Sequence, residues 1–133
     1  MDWSHVPSPS LDDFETMART AYASLPAEFR ALAGDIVFRV DDFPDEDVIG
    51  TMELESEFDI LGLFQGPDLA DVMGGHAHGH QTMIFLYRRP ILDYWAEHGE
   101  ALGDIVRHVL VHEIGHHFGL SDADMDAIES RAG

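Results

Sequence analysis

The chain has 133 residues, 45% of them hydrophobic and 25% charged, the proportions of one globular domain rather than of a disordered segment. Seven Lys and Arg against 26 Asp and Glu leave a net charge of −19; this argues against nucleic acid and anionic membrane surfaces, which need basic patches, and admits cationic partners. Cysteine is absent, which excludes disulfides, thiolate metal sites and cysteine nucleophiles. No apolar run approaches the roughly 18–20 residues of a membrane span. Met1-Asp2-Trp3-Ser4-His5 has neither the basic region nor the apolar core of a signal peptide. The expectation is a cytoplasmic protein with a single domain over residues 1–133.

Residues 4–10 read as an irregular leader. Ser10, with Asp13 three residues later, signals a helix start, and Leu11, Phe14, Ala18, Ala21 and Leu25 recur at helical spacing. A helix is expected over about 11–24. A second, short one begins with Pro26 in its first turn, runs through Phe29 and Leu32 and stops at Gly34. Residues 35–40 are rich in β-branched and aromatic side chains and predict a strand. Residues 41–47 read as an acidic turn. Glu53, Glu55 and Glu57 read as a solvated surface, with a site for a basic partner as the sharper alternative. A second strand is expected at 60–64, a loop at 67–81 and a third strand at 83–87. A short helix follows over about 91–98 and stops at Gly99. The next begins near Leu102, its apolar stripe formed by Ile105, Val106, Val109, Leu110, Ile114 and Phe118, and Gly119 ends it. A last helix covers 122–130, with Ser121 and Asp124 as its cap.

The chemistry is concentrated on the penultimate helix. Its residues 112–116 read His-Glu-Ile-Gly-His. His112 and His116 are four residues apart and lie one above the other on one helix face, a spacing that lets two imidazoles hold one Zn²⁺. Glu113 can act as general base toward a water at the metal. Gly119 can adopt a left-handed conformation and turn the chain sharply, which would bring Asp122 back toward the imidazoles. His112, His116 and Asp122 would then be three protein ligands to one zinc per chain, leaving a fourth position open, as catalytic zinc sites require. The competing readings are ordinary helix histidines and an Asp122 that merely favours the start of the last helix.

The string HExxHxxGxxD resembles the extended metzincin signature with Asp in the third-ligand place. With Leu86-Tyr87-Arg88-Arg89-Pro90-Ile91 upstream, it is similar to the small bacterial zincin-like metallopeptidases, the minimal zincins. The resemblance implies zinc on His112, His116 and Asp122 and Glu113 as catalytic carboxylate. It also implies a compact α+β domain in which the strand before that helix borders the cleft; with the elements read above, the expected fold is α+β, with N-terminal helices, a small twisted mixed sheet and a C-terminal active-site helix. The implied activity is peptide-bond hydrolysis of a peptide or protein substrate, and the net charge of −19 adds a preference for basic ones. A strand edge at 83–87 could align that peptide. The alternative is a zinc-containing binding or regulatory domain with little or no turnover. Met125 follows the third ligand too closely for a metzincin Met-turn and reads as core packing.

Other candidates are weaker. His76, His78 and His80 read as a flexible polar loop, or else as a second metal site. His108 lies one turn before His112 and reads as an exposed residue or one that supports the ligands, with a ligand role as the lesser alternative; Glu53, Glu55, Glu57 and His108 are the possible substitutes should Asp122 not be the third ligand. His117 points away from the ligand face and reads as packing. Asp122, Asp124 and Asp126 do not start a calcium loop, because the sixth and twelfth places hold Ala127 and Gly133. Arg88 and Arg89 are expected to pair with the acidic surface.

Overall fold

A computed structural model describes residues 4–66, 74 and 82–132, and these form six helices and three strands. Helix α1 (Leu11–Ala23) opens where the sequence puts it: Ser10 Oγ accepts from the Asp13 backbone at 3.1 Å, and the Asp13 carboxylate accepts from the Ser10 backbone at 2.8 Å. Pro26 caps α2 (Ala27–Ala33) rather than entering its first turn, and Gly34 ends it at φ +69°. Strand β1 (Ile36–Asp41) follows. The acidic stretch 41–47, expected as a turn, in fact holds the start of helix α3 (Glu46–Thr51). Asp45 Oδ1 accepts from the Val48 backbone at 2.9 Å, and Glu46 and Asp47 occupy the first turn. Acidic side chains favour the positive end of a helix dipole, so the charge that resembles a turn here starts a helix.

Strands β2 (Gly62–Gln65) and β3 (Thr82–Tyr87) complete a sheet of order β1-β3-β2. Strand β1 runs parallel to β3 with Ile36 opposite Thr82 and Asp41 opposite Tyr87, and β2 runs antiparallel with Gly62 opposite Leu86. The sheet is therefore mixed. Residues 83–87 are paired on both sides, so they offer no free edge to a peptide, contrary to the sequence expectation. An uninterrupted apolar run suits a strand covered on both faces. Helix α4 (Arg88–His98) starts directly at the end of β3, three residues earlier than expected. Pro90 lies in its first turn, where a missing N–H is cheap. Helices α5 (Leu102–His117) and α6 (Asp122–Arg131) close the chain.

The core forms where α5 packs on α1 and the sheet. Phe14 and Ala18 of α1, Ile84 and Leu86 of β3, and Val106, Leu110 and Ile114 of α5 are all fully buried. The apolar stripe of α5 thus faces inward, which fixes the rotation of the helix about its axis. Among the described residues no helix is long and apolar enough to cross a membrane. Arg88 ties the N-terminal leader to this body: Nε donates to the Pro9 carbonyl at 2.6 Å, Nη2 to Ser8 Oγ at 2.8 Å, and Nη1 to Asp42 at 3.1 Å.

Candidate metal centre

With its apolar stripe held inward, α5 places His108, His112 and His116 along one border of that stripe. The His112 ring lies against both neighbours, 3.9 Å between centroids from His108 and 5.6 Å, edge-on, from His116. His108 and His116 are exposed, whereas His112 is partly buried. Burial, with the charge of His108 next in weight, pushes the His112 imidazole below its ordinary pKa. Glu113 is more enclosed, and desolvation pushes its carboxyl up to about 7. At neutral pH such a group is poised both to take and to give a proton.

The turn after α5 has the expected form. Gly119 adopts φ +77°, its N–H donates to the His116 carbonyl at 3.1 Å, and the Leu120 N–H donates to the Gly115 carbonyl at 2.9 Å. These two bonds are a Schellman closure, which satisfies carbonyls that the end of the helix would leave orphaned. Ser121 and Asp124 then form a reciprocal capping box that starts α6. The reversal lays α6 back along α5. Met125, fully buried, packs against Gly115 between the two histidines of the motif. A Cβ on Gly115 would clash with Met125 Sδ and stand 2.8 Å from its Cγ. The glycine thus allows α6 to approach, and Met125 belongs to the core.

Asp122 is exposed at the first position of α6, and its negative charge acts on His112. The tightest meeting of potential ligand atoms involves other partners. Nitrogens of His108 and His112 and a carboxylate oxygen of Glu129 lie within 4.8 Å of one another, the one such group of three among the described residues. Glu129 Oε1 is 2.8 Å from His108 Nδ1 and 3.5 Å from His112 Nε2. His112 Nε2 and Glu129 Oε1 are both shielded from solvent, and neither makes a geometrically sound hydrogen bond. Two buried polar atoms left this way fit a metal ion, which would satisfy both. His116 and Asp122 do not bring ligand atoms into this group.

Glu129 is the functional candidate that sequence reasoning missed. Its only signal is a position seven residues after Asp122, two turns along the same face of α6. His117 packs its ring 4.5 Å from that of Phe64, as expected. Glu53, Glu55 and Glu57 are exposed. His76, His78 and His80 lie outside the described residues.

A family profile described as zincin-like metallopeptidase matches residues 33–132, most of the chain and all of β1 through α6. The chain belongs to that family. Its α+β fold, with a small mixed sheet ahead of the HEIGH helix, is the one the sequence resemblance implied. No curated protein matches the sequence.

Proposed function

We propose that the chain is a zinc-dependent peptidase in which His112, His116 and Asp122 hold the metal and Glu113 moves the proton. The observation that carries this reading is the solvent-shielded Nε2 of His112, which makes no hydrogen bond, one residue before a carboxyl enclosed on the same helix. Membership of a metallopeptidase family supports it. Zinc at this place supplies a Lewis acid for the scissile carbonyl. Glu113 accepts a proton from the water that attacks the carbonyl carbon. It returns that proton to the amine nitrogen as the C–N bond breaks, so the carboxylate is regenerated. Asp122 would contribute its carboxylate from the first position of α6, three residues after the left-handed Gly119.

With β3 enclosed, the edge for an extended peptide passes to β2, which pairs on one side alone among the described residues. Beside it a cavity of about 440 Å³ is lined by Asp45, Asp47, Leu63 and Gln65, among others. Its acidity suits a basic side chain. The test is a diverse peptide library incubated with zinc-loaded protein and with Glu113→Gln. The variant should keep zinc and lose hydrolysis by at least roughly 10²-fold, the scale of a lost general base. Equal cleavage by the two proteins overturns the role of Glu113, and a wild-type protein that binds no zinc overturns the whole reading.

A further inference from the structure

We propose that His108 Nδ1, His112 Nε2 and Glu129 Oε1 form a second seat for a zinc-like divalent ion, one that shares His112 with the catalytic set and therefore excludes it. The geometry starts on α5. His108 and His112 are one turn apart, the spacing that presents two imidazoles to one ion, and their ring centroids lie 3.9 Å apart with the planes tilted by 34°. Across the α5–α6 contact, Glu129 brings a carboxylate oxygen to 2.8 Å from one nitrogen and 3.5 Å from the other. Two imidazole nitrogens and one carboxylate oxygen are a donor set that zinc accepts with a fourth position left open. The shielding of His112 Nε2 and Glu129 Oε1, and their lack of hydrogen-bond partners, is the second observation. A close approach of this kind is costly to leave unsatisfied, and an ion between the atoms would resolve it.

The open side of this seat has a path to solvent. Glu100, Asp104, His108 and Glu129 border a cavity of about 380 Å³. Arg107, which also lines it, is engaged by Asp104 at 3.0 Å. An approaching hydrated cation therefore meets an acidic mouth before it meets the imidazoles.

The consequence follows from one residue. Each seat needs His112, and a neutral imidazole has one unprotonated ring nitrogen to give. An ion on His108 and Glu129 thus denies His112 to His116 and Asp122. Occupancy of this seat is an off state of the peptidase, so the inference rests on the zinc reading of His112 given above.

The experiment removes the catalytic set and asks what still binds. Zinc affinity and stoichiometry are measured by competition with a chromogenic chelator in His116→Ala/Asp122→Ala. The two residues are exposed, and circular dichroism checks the fold; His116→Gln/Asp122→Asn replaces the alanine pair should that pair unfold. The variant is expected to bind one zinc per chain, with the imidazole ¹⁵N resonances of His108 Nδ1 and His112 Nε2 both shifting on addition of metal. On that background Glu129→Gln should weaken binding by at least the roughly 10–100-fold that even a supporting partner costs, and His112→Ala should abolish it. Absence of zinc in the double variant, with zinc still bound by the wild type, overturns the second seat and leaves the peptidase reading intact. Binding that survives unchanged without His108 and Glu129 overturns it as well. A wild type without zinc removes both readings.

Discussion

Glu113 and His112 are neighbours on α5, and burial acts on them in opposite senses. It raises the carboxyl of Glu113 to about 7 and lowers the imidazole of His112. For a group whose folded pKa is raised, the stabilising contribution is complete below the unfolded value of about 4.3 and is lost as pH rises through the folded value. In the metal-free protein, Glu113 therefore weakens the fold progressively between roughly pH 4 and pH 7. His112 runs the other way: its contribution is present above the ordinary imidazole pKa and fades as pH falls. Comparison of wild type with Glu113→Gln isolates the first effect, because both proteins keep His112. With a chelator present, the glutamine variant should gain on the wild type between about pH 4 and pH 7 and hold that gain above it, by up to about 3 kcal/mol. Urea unfolding at several pH values measures this. A difference that stays flat over that range would show that burial does not govern the ionisation of Glu113.

The contact between α5 and α6 decides which side chains meet, and Gly115 governs it. Replacement by Ala forces a methyl group into Met125, and overpacking of this kind costs about 1–3 kcal/mol. Met125→Ala alone opens a cavity and costs about 2–5 kcal/mol. Combined, the two changes should cost less than the sum of their separate effects, because the alanine at 125 gives the new methyl its space. Thermal or urea denaturation of the three variants closes the cycle, and strict additivity would mean that the two residues do not meet. This contact also marks the boundary of what sequence could tell. The capping boxes at Ser10 and Ser121, the stripe of α5 and the left-handed Gly119 are local signals, set by residues within a turn or two of one another, and each appears where the spacing put it. Glu129 was invisible because its approach to His108 depends on how two helices cross. The sheet order was invisible for the same reason. Alternation and composition identify 83–87 as a strand, but they do not say that it will have a neighbour on each side. Helix α3 was missed on a local signal, since the Asp45 cap and its acidic first turn resemble an acidic loop.

At the scale of the whole molecule, charge dominates. A net −19 on 133 residues produces a field that concentrates cations and repels anions before any contact is made. The few cations offset it mainly by pairing with nearby acids: Arg19 with Glu15, Arg88 with Asp42, Arg107 with Asp104, and Arg131 with Glu28. The hollow beside β2 is acidic too, through Asp45 and Asp47, so the long-range field and the local surface favour the same substrates. Peptides rich in Lys or Arg should therefore be cleaved faster than acidic peptides of the same length and hydropathy. Steering acts on encounter, so the advantage belongs in kcat/KM and should be about tenfold or more at low salt. It should shrink as salt rises, because at 0.1 M the Debye length of about 10 Å already screens charges spread over a surface. A part that persists at high salt belongs to the Asp45 and Asp47 hollow, where contact is close and screening weaker. Asp45→Asn/Asp47→Asn should remove that part and leave the salt-sensitive part largely in place. The measurement is kcat/KM for matched basic and acidic peptides across a salt series, in wild type and in this variant. Equal rates for the two peptides at low salt would mean that the acidity of the chain does not select its substrate.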